Sequence, residues 1–444
     1  MRHASSRYRG ATMPDPVGQR FTSPRTTRIN TIALIGDFFF FSVGFAFYDP
    51  MVVVPAFVND FSGSNLLVGV LSALRVLFIT VPQIWAASIL EARPRMKPLL
   101  MGSSIIGRLP ILVLAAGVFL WAGIGGYTWL VMLILSISVI FFFTSEGLNS
   151  VSWTALVGKV VPEKFRGRFF GLGQFLSSFG SLAAGYLVNR ILAQRAMPLS
   201  TRWSVIFALG FVSLMLSVGS MIFIREPPAE AATEEGPNVR KSLGKMWHYL
   251  REDRWLRRMI VVQLVLWTAM AAFAFFVVRA RQLLPNAEAL VGTFLILQSA
   301  GSGAAALIGG LLVDHVGSWA AIRAAAFAQI LAPIAAVLAG LGVAPLPLYL
   351  LVFFLMGFVN GAAWWSFSAY LLDMAPEDRR PIYLATSGVL SSITVLSPVI
   401  VGALMEVVWP EAVFAGSAVL AVVGMAFAWT LRQGIRPRPS TTEG

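Results

Sequence analysis

Twelve predominantly apolar stretches follow one another along the chain, at 30–57, 64–90, 99–122, 126–148, 169–194, 202–224, 257–281, 290–313, 320–342, 345–372, 382–406 and 411–431. About 20 such residues cross the hydrocarbon core of a bilayer as a helix. In that medium only helices and closed barrels satisfy every backbone amide and carbonyl. The runs are continuously apolar and do not alternate with period two, so they read as helices. They fall into two sets of six. Between the sets lies the polar segment 225–256, with Glu226-Pro227-Pro228, Glu234-Glu235, Arg240-Lys241 and a short amphipathic helix expected around Leu243–Leu250. The expected fold is therefore an all-α integral membrane protein of twelve transmembrane helices. It is organised as a basic tail (1–29), a six-helix bundle (30–224), a linker (225–256), a second six-helix bundle (257–431) and a disordered tail (432–444).

Composition agrees with this reading and removes other classes. Hydrophobic residues make up 57% of the 444 and charged residues only 12%, whereas soluble domains carry about 25% charged residues. A soluble fold of this size would lack the polar surface to cover itself. The chain has no cysteine, so disulfides, thiolate metal sites and cysteine nucleophiles are excluded. Its three histidines, His3, His248 and His315, all lie outside the apolar runs. With no clustered carboxylates at metal-ligand spacing either, an enzyme is not expected, and neither is a metal or other cofactor.

The distribution of basic residues sets the orientation. Of 34 Lys and Arg, 27 fall on the side that carries both termini, five (Arg190, Arg195, Arg202, Arg279 and Arg281) on the other, and two, Arg75 and Arg108, inside apolar runs. Cytoplasmic loops carry the excess of Lys and Arg, so both termini are expected in the cytoplasm, with the chain in the cell (inner) membrane. The net charge of +13 is then a topology signal with some anionic-lipid contact, and nucleic acid is not an expected partner. The polar, Arg-rich start reads as a cytoplasmic tail, not a cleaved leader.

The two halves repeat. Leu67-Val68-Gly69 and Leu290-Val291-Gly292 open the second span of each half, 223 residues apart, and the same offset places Glu91 over Asp314 and Arg75 over Gln298. An offset of 214 places Glu146-Gly147 over Asn360-Gly361, Pro162-Glu163 over Pro376-Glu377, Arg166 over Arg380, and Leu176-Ser177-Ser178 over Leu390-Ser391-Ser392. Two like halves of six spans imply parallel repeats about an axis along the membrane normal.

Two loop motifs add a resemblance. Gly310-Leu311-Leu312-Val313-Asp314-His315-Val316-Gly317 is similar to the G-x-L-x-D-x-x-G signature of the major facilitator superfamily, and Pro162-Glu163-Lys164-Phe165-Arg166-Gly167-Arg168-Phe169-Phe170-Gly171 to its P-x-x-x-R-G-R-x-x-G run. With the 6 + 6 organisation, the chain resembles that superfamily over 30–431. The resemblance implies alternating-access transport of a small molecule. It also implies cytoplasmic gating loops in which Asp314 and Gly317 work with Arg380 or Arg379, and Glu91 with Arg166 and Arg168. The first-half copy of the signature is eroded, with Ala87 and Pro94 at the glycine positions and Glu91 at the aspartate. That erosion keeps a second reading open, a non-transporting sensor or assembly factor of the same fold.

Ionisable and amide groups within the spans are the candidate site. A charge at a helix centre costs about 2.5–3.5 kcal/mol on insertion scales, so each should face the bundle interior or water. Asp37 and Glu146 have similar depths on spans one and four, which the resemblance implies face each other across the cavity. They are expected either as an acidic pair that couples transport to protons, or as acceptors for neighbouring helix ends and Arg108. Arg75, near the middle of span two, has Asp49 as its candidate neutraliser, as a clamp or a gate; alternatively it holds an anionic substrate, since a guanidinium matches carboxylate or phosphate bidentately. Asp49-Pro50 marks a kink near the outer end of span one. Gln298 and Asn360 offer neutral amides at the repeat positions, for ligand hydrogen bonding or as glue between helices. Trp364 could stack on a flat or sugar-like ligand. The expected partners are a small-molecule substrate, protons as coupling ion and membrane lipids, with the monomer as the working unit.

Overall fold

A computed structural model describes residues 24–91, 95–121, 126–227, 239–376 and 379–431, with side chains for all of these except 24, 84–91, 163–168, 239–243, 245, 314, 364, 365, 381 and 385. The described chain is helical. In order the helices are α1 (Pro24–Phe47), α2 (Val53–Phe61), α3 (Asn65–Glu91), α4 (Lys97–Leu120), α5 (Thr128–Val160), α6 (Glu163–Leu192) and α7 (Leu199–Ile222). Then follow α8 (Val239–Glu252), α9 (Arg254–Ala269), α10 (Phe273–Leu283), α11 (Val291–His315) and α12 (Ser318–Gly340). The last are α13 (Pro345–Met374), α14 (Arg380–Ser391), α15 (Ser397–Val407) and α16 (Pro410–Trp429). The amphipathic linker helix is α8, which packs on α9 and α14.

The breaks in the helices have local causes. Between α1 and α2 the chain unwinds at Asp49-Pro50. Proline brings no amide to the ladder, and the Asp49 carboxylate accepts hydrogen bonds from the Met51 and Val52 amides (2.9 and 2.7 Å). A single 3-10 turn, Met270–Ala272, joins α9 to α10 at the matching place in the second half. Another, Ser392–Leu396, joins α14 to α15 ahead of Pro398. The pairs α9–α10 and α14–α15 each form one span, whereas α1 is long and apolar enough to cross without α2.

Among the described residues, eleven helices or helix pairs are long and apolar enough to cross a membrane. The expected span at 169–194 falls in α6, which has the length but not the apolarity. Its polar residues Gln174, Ser177, Ser178 and Ser181 face a cavity between the bundles, so what lowers its apolarity is the site itself.

The two bundles share one pattern of neighbours. In the first, α5 packs on α3 and α4, and α7 on α4 and α1; in the second, α13 packs on α11 and α12, and α16 on α12 and α9. The bundles meet through α3 against α15 and α6 against α11. Both contacts run through the repeated Leu-Val-Gly. A Cβ on Gly69 would enter the Pro398 carbonyl of α15, and one on Gly292 the Gly185 carbonyl of α6. Small residues let membrane helices approach to backbone contact, where dispersion replaces the missing hydrophobic drive.

Candidate functional site

Four of the expected residues converge. Asp49 at the α1–α2 break, Arg75 on α3, Gln298 on α11 and Asn360 on α13 line one cavity between the bundles, with Ser42, Phe45 and Met51 from the first span and Gln174 to Ser181 from α6. Its empty volume is about 740 Å3, counting the part open to solvent. Asp49 and Gln298, nearer the face opposite the termini, are buried at 4% and 8% exposure, while Gln174 and Asn360 are exposed. The cavity is thus roofed toward the far face and open toward the face that carries the termini.

The polar groups of the cavity are unequally satisfied. Both Asp49 oxygens are engaged, one by the Met51 and Val52 amides and the other by Gln298 Nε2 at 3.1 Å. The expected Arg75–Asp49 ion pair is not formed within 4.0 Å, because the helix break and Gln298 already hold the carboxylate; the two charges remain within electrostatic reach. Arg75 makes no hydrogen bond or ion pair with any described residue. Gln298 Oε1 is buried without a hydrogen-bond partner.

Asp37 and Glu146 lie outside this cavity, within the first bundle between α1, α4, α5 and α7, Asp37 buried and Glu146 half-buried, and the buried Arg108 joins them. Ser217 Oγ and Trp153 Nε1 donate to Asp37 at 2.5 and 2.8 Å. Arg108 forms an ion pair with Glu146 at 3.5 Å and donates to Ser217 Oγ at 3.3 Å and the Leu214 carbonyl at 2.6 Å. Asn149 Nδ2 donates to Glu146 at 3.3 Å and to Ser104 Oγ at 3.0 Å. The two carboxylates make no direct bond to each other: Arg108 and Ser217 bridge them, and Arg108 Nε is left buried without a partner. The sequence placed both acids and the arginine in spans; it did not single out Ser217, Trp153 or Asn149.

The far face carries a second network that the sequence signalled only as minority charge. Arg281 on α10 binds Asp60 and the Ala56 carbonyl of α2, and Trp203 Nε1 donates to Asp60 at 2.7 Å. Arg202 of α7 pairs with Glu288 at 3.3 Å, and Arg195 donates to Asn286. Asn189 on α6 exchanges two bonds with Thr293 of α11, at 2.7 and 2.9 Å. Glu406 on α15 accepts from the Asn65 and Leu66 amides at the start of α3. Arg279 stays within the second bundle, on Glu411 at 2.6 Å.

Of the gating-loop candidates, Gly317 has a backbone reason. At φ 125° it takes a conformation that side chains rarely adopt, and its amide closes on the Leu312 carbonyl at 2.9 Å before α12 starts. Arg380 opens α14, half-buried. Glu91 ends α3, but its side chain, with those of Asp314, Arg166, Arg168 and Trp364, lies outside the described residues. None of the contacts expected of them is part of the described structure.

Two pseudo-symmetric helical bundles, sealed against each other at one membrane face and parted at the other around a polar cavity, define an alternating-access transporter. The Major Facilitator Superfamily matches residues 38–394, and the chain belongs to it. Among curated proteins, none matches it by sequence. Solved structures share the fold. One is the nucleoside transporter NupG, 12% identical with a TM-score of 0.66 over 90% of this chain and 98% of that one. A second is the xylose transporter XylE from E. coli in an inward open conformation, 16% identical with a TM-score of 0.64 over 92% and 98%. A third is a bacterial homolog of the human lysosomal transporter Spinster, inward-facing and unoccupied, 13% identical with a TM-score of 0.63 over 92% and 97%.

Proposed function

We propose that this transporter carries a small polar solute through the cavity, as a monomer in the cell (inner) membrane with both termini in the cytoplasm. The observation that carries the reading is the convergence of Asp49, Arg75, Gln298 and Asn360, from both bundles, on one polar space. The excess of Lys and Arg on the terminal side supports the orientation, and with it the arrangement described is open to the cytoplasm. The far-face contacts must then break in the return stroke.

The absence of cysteine makes the test direct. Asn360→Cys is labelled with a membrane-impermeant thiol reagent from each face of oriented vesicles. A transporter exposes this position to both sides in turn. Labelling from one face only, under every condition, would favour the non-transporting sensor or assembly factor and overturn the proposal.

Proton coupling belongs to the buried cluster. Asp37 and Glu146 share one guanidinium, Arg108, so with all three ionised one negative charge is left over in a water-poor interior. A proton removes it, and an uncompensated buried charge is strongly unfavourable. Asp37 lies five residues before Ser42 on the same helix, about 7.5 Å along its axis, so its state can bias the wall of the cavity. The expected result is that the ratio of far-face to terminal-face labelling of Asn360→Cys, which cancels the pH dependence of the thiol itself, changes between about pH 5.5 and 7.5, and that Glu146→Gln flattens this ratio. An unaltered response in Glu146→Gln would exclude the cluster as the proton site.

A further inference from the structure

We propose that the solute is an anion: a small hydroxylated monocarboxylate whose carboxylate is held by Arg75. This rests on the reading of the cavity as the solute site. Among the described residues the cavity lining contains one acid and one base, and the structure treats them differently. Asp49 is engaged at both oxygens, by two backbone amides of the helix break and by Gln298 Nε2. It serves the break and offers little to a ligand. Arg75 lines the same space with its five N–H donors unengaged by described residues. A half-buried guanidinium without a protein acceptor is matched best by a planar anion accepting two parallel bonds. Asp49 is already held by neutral donors, so the direct pairing position on the one cation of the lining is left for one carboxylate.

The rest of the lining suits hydroxyl groups. Gln298 Oε1 is buried and lacks a donor, so a ligand hydroxyl can supply one. Asn360, Gln174, Ser181, Ser299 and Ser302 add donors and acceptors around the wall. Phe45, Met51 and Leu295 give it one apolar side. An apolar anion would leave the Gln298 oxygen without a partner, a desolvation cost that a hydroxylated anion avoids.

The test uses the full chain in nanodiscs, with thermal shift and titration calorimetry. The acids are D-gluconate, D-glucuronate and quinate. D-glucose and D-glucosamine are the uncharged and cationic matches of similar size. The expected result is that at least one acid binds, with both sugars weaker by tenfold or more. Arg75→Gln then weakens the acid by about 10–100-fold, and Arg75→Lys recovers part of the loss. Ser299→Trp, which fills the cavity, and Asn360→Ala report on the site. A sugar or amine that binds as tightly as the acids and is blocked by Ser299→Trp overturns the anionic class while leaving the cavity as the site. Binding that neither Ser299→Trp nor Asn360→Ala alters overturns the cavity reading itself. Failure of all three acids to bind, or acid binding unchanged in Arg75→Gln, also overturns the class.

Discussion

Arg108 is the residue on which the interior of the first bundle turns. It is 1% exposed and answers two carboxylates, a serine hydroxyl and a helix carbonyl. Removing one partner of a buried ion pair costs about 3–5 kcal/mol, because the other charge stays behind. Arg108→Met should therefore lower the melting temperature sharply, and adding Asp37→Asn and Glu146→Gln should restore much of it. Thermal unfolding in detergent measures this; a triple variant no more stable than the single one would show that Arg108 acts through packing, not charge. The same cluster marks how far the sequence could be read at this scale. A charge inside an apolar run announces itself, so Asp37, Arg108 and Glu146 were legible as interior groups. Their mutual arrangement was not. Ser217 reaches Asp37 from 180 residues away, and each residue along a helix turns the side chain by about 100°, so depth alone does not say which neighbour it meets. Asp49 is the clearest case: its depth suggested a partner for Arg75, while the local break at Pro50 took up one of its oxygens.

The repeated Leu-Val-Gly shows what an element can reveal that a residue cannot. As a sequence repeat it marked equivalent positions; in the structure both glycines lie where helices of opposite bundles touch. Gly292→Val would drive two methyl groups into the Gly185 backbone of α6, which cannot yield as a side chain can. The expected consequence is that the far face no longer closes, seen as faster labelling of Ser299→Cys from that side than in the parent chain. Gly303→Val on the same helix has nothing within 4 Å and should leave the rate unchanged. Equal rates in the two valine variants would mean that α6 and α11 do not form a closing contact. At this scale most of the fold was readable, because membrane spans follow from length and apolarity alone. The exception is α6, whose serines and Gln174 lower its apolarity for the same reason that they line the cavity.

For the whole molecule, the decisive asymmetry is between a face joined by ion pairs and a face where the bundles part. Three of the five basic residues on the far side cross between bundles, so what reads as a topological minority is a lock. Its parts should not contribute equally. Arg281 and Asp60 are both largely withdrawn from water, with side chains 6% and 10% exposed, and Trp203 fixes the acid from a third helix. Glu288, the partner of Arg202, is 52% exposed. Exposed pairs are worth about 0–1 kcal/mol and are screened by salt, whereas a withdrawn, hydrogen-bonded pair holds its partners in place. Both variants bias the same equilibrium between the two open forms, and each 1.4 kcal/mol of bias changes their ratio about tenfold. Arg281→Gln should therefore raise far-face labelling of Ser299→Cys by about tenfold or more and lower labelling from the terminal face. Arg202→Gln should shift it by less than about fivefold, and less still in high salt. An Arg202 variant that opens the far face more than the Arg281 variant would reverse the order of the lock and place its strength in the exposed loop. Equal parent-like rates in both would show that the helix contacts at Gly69 and Gly292 hold the face closed without the charges.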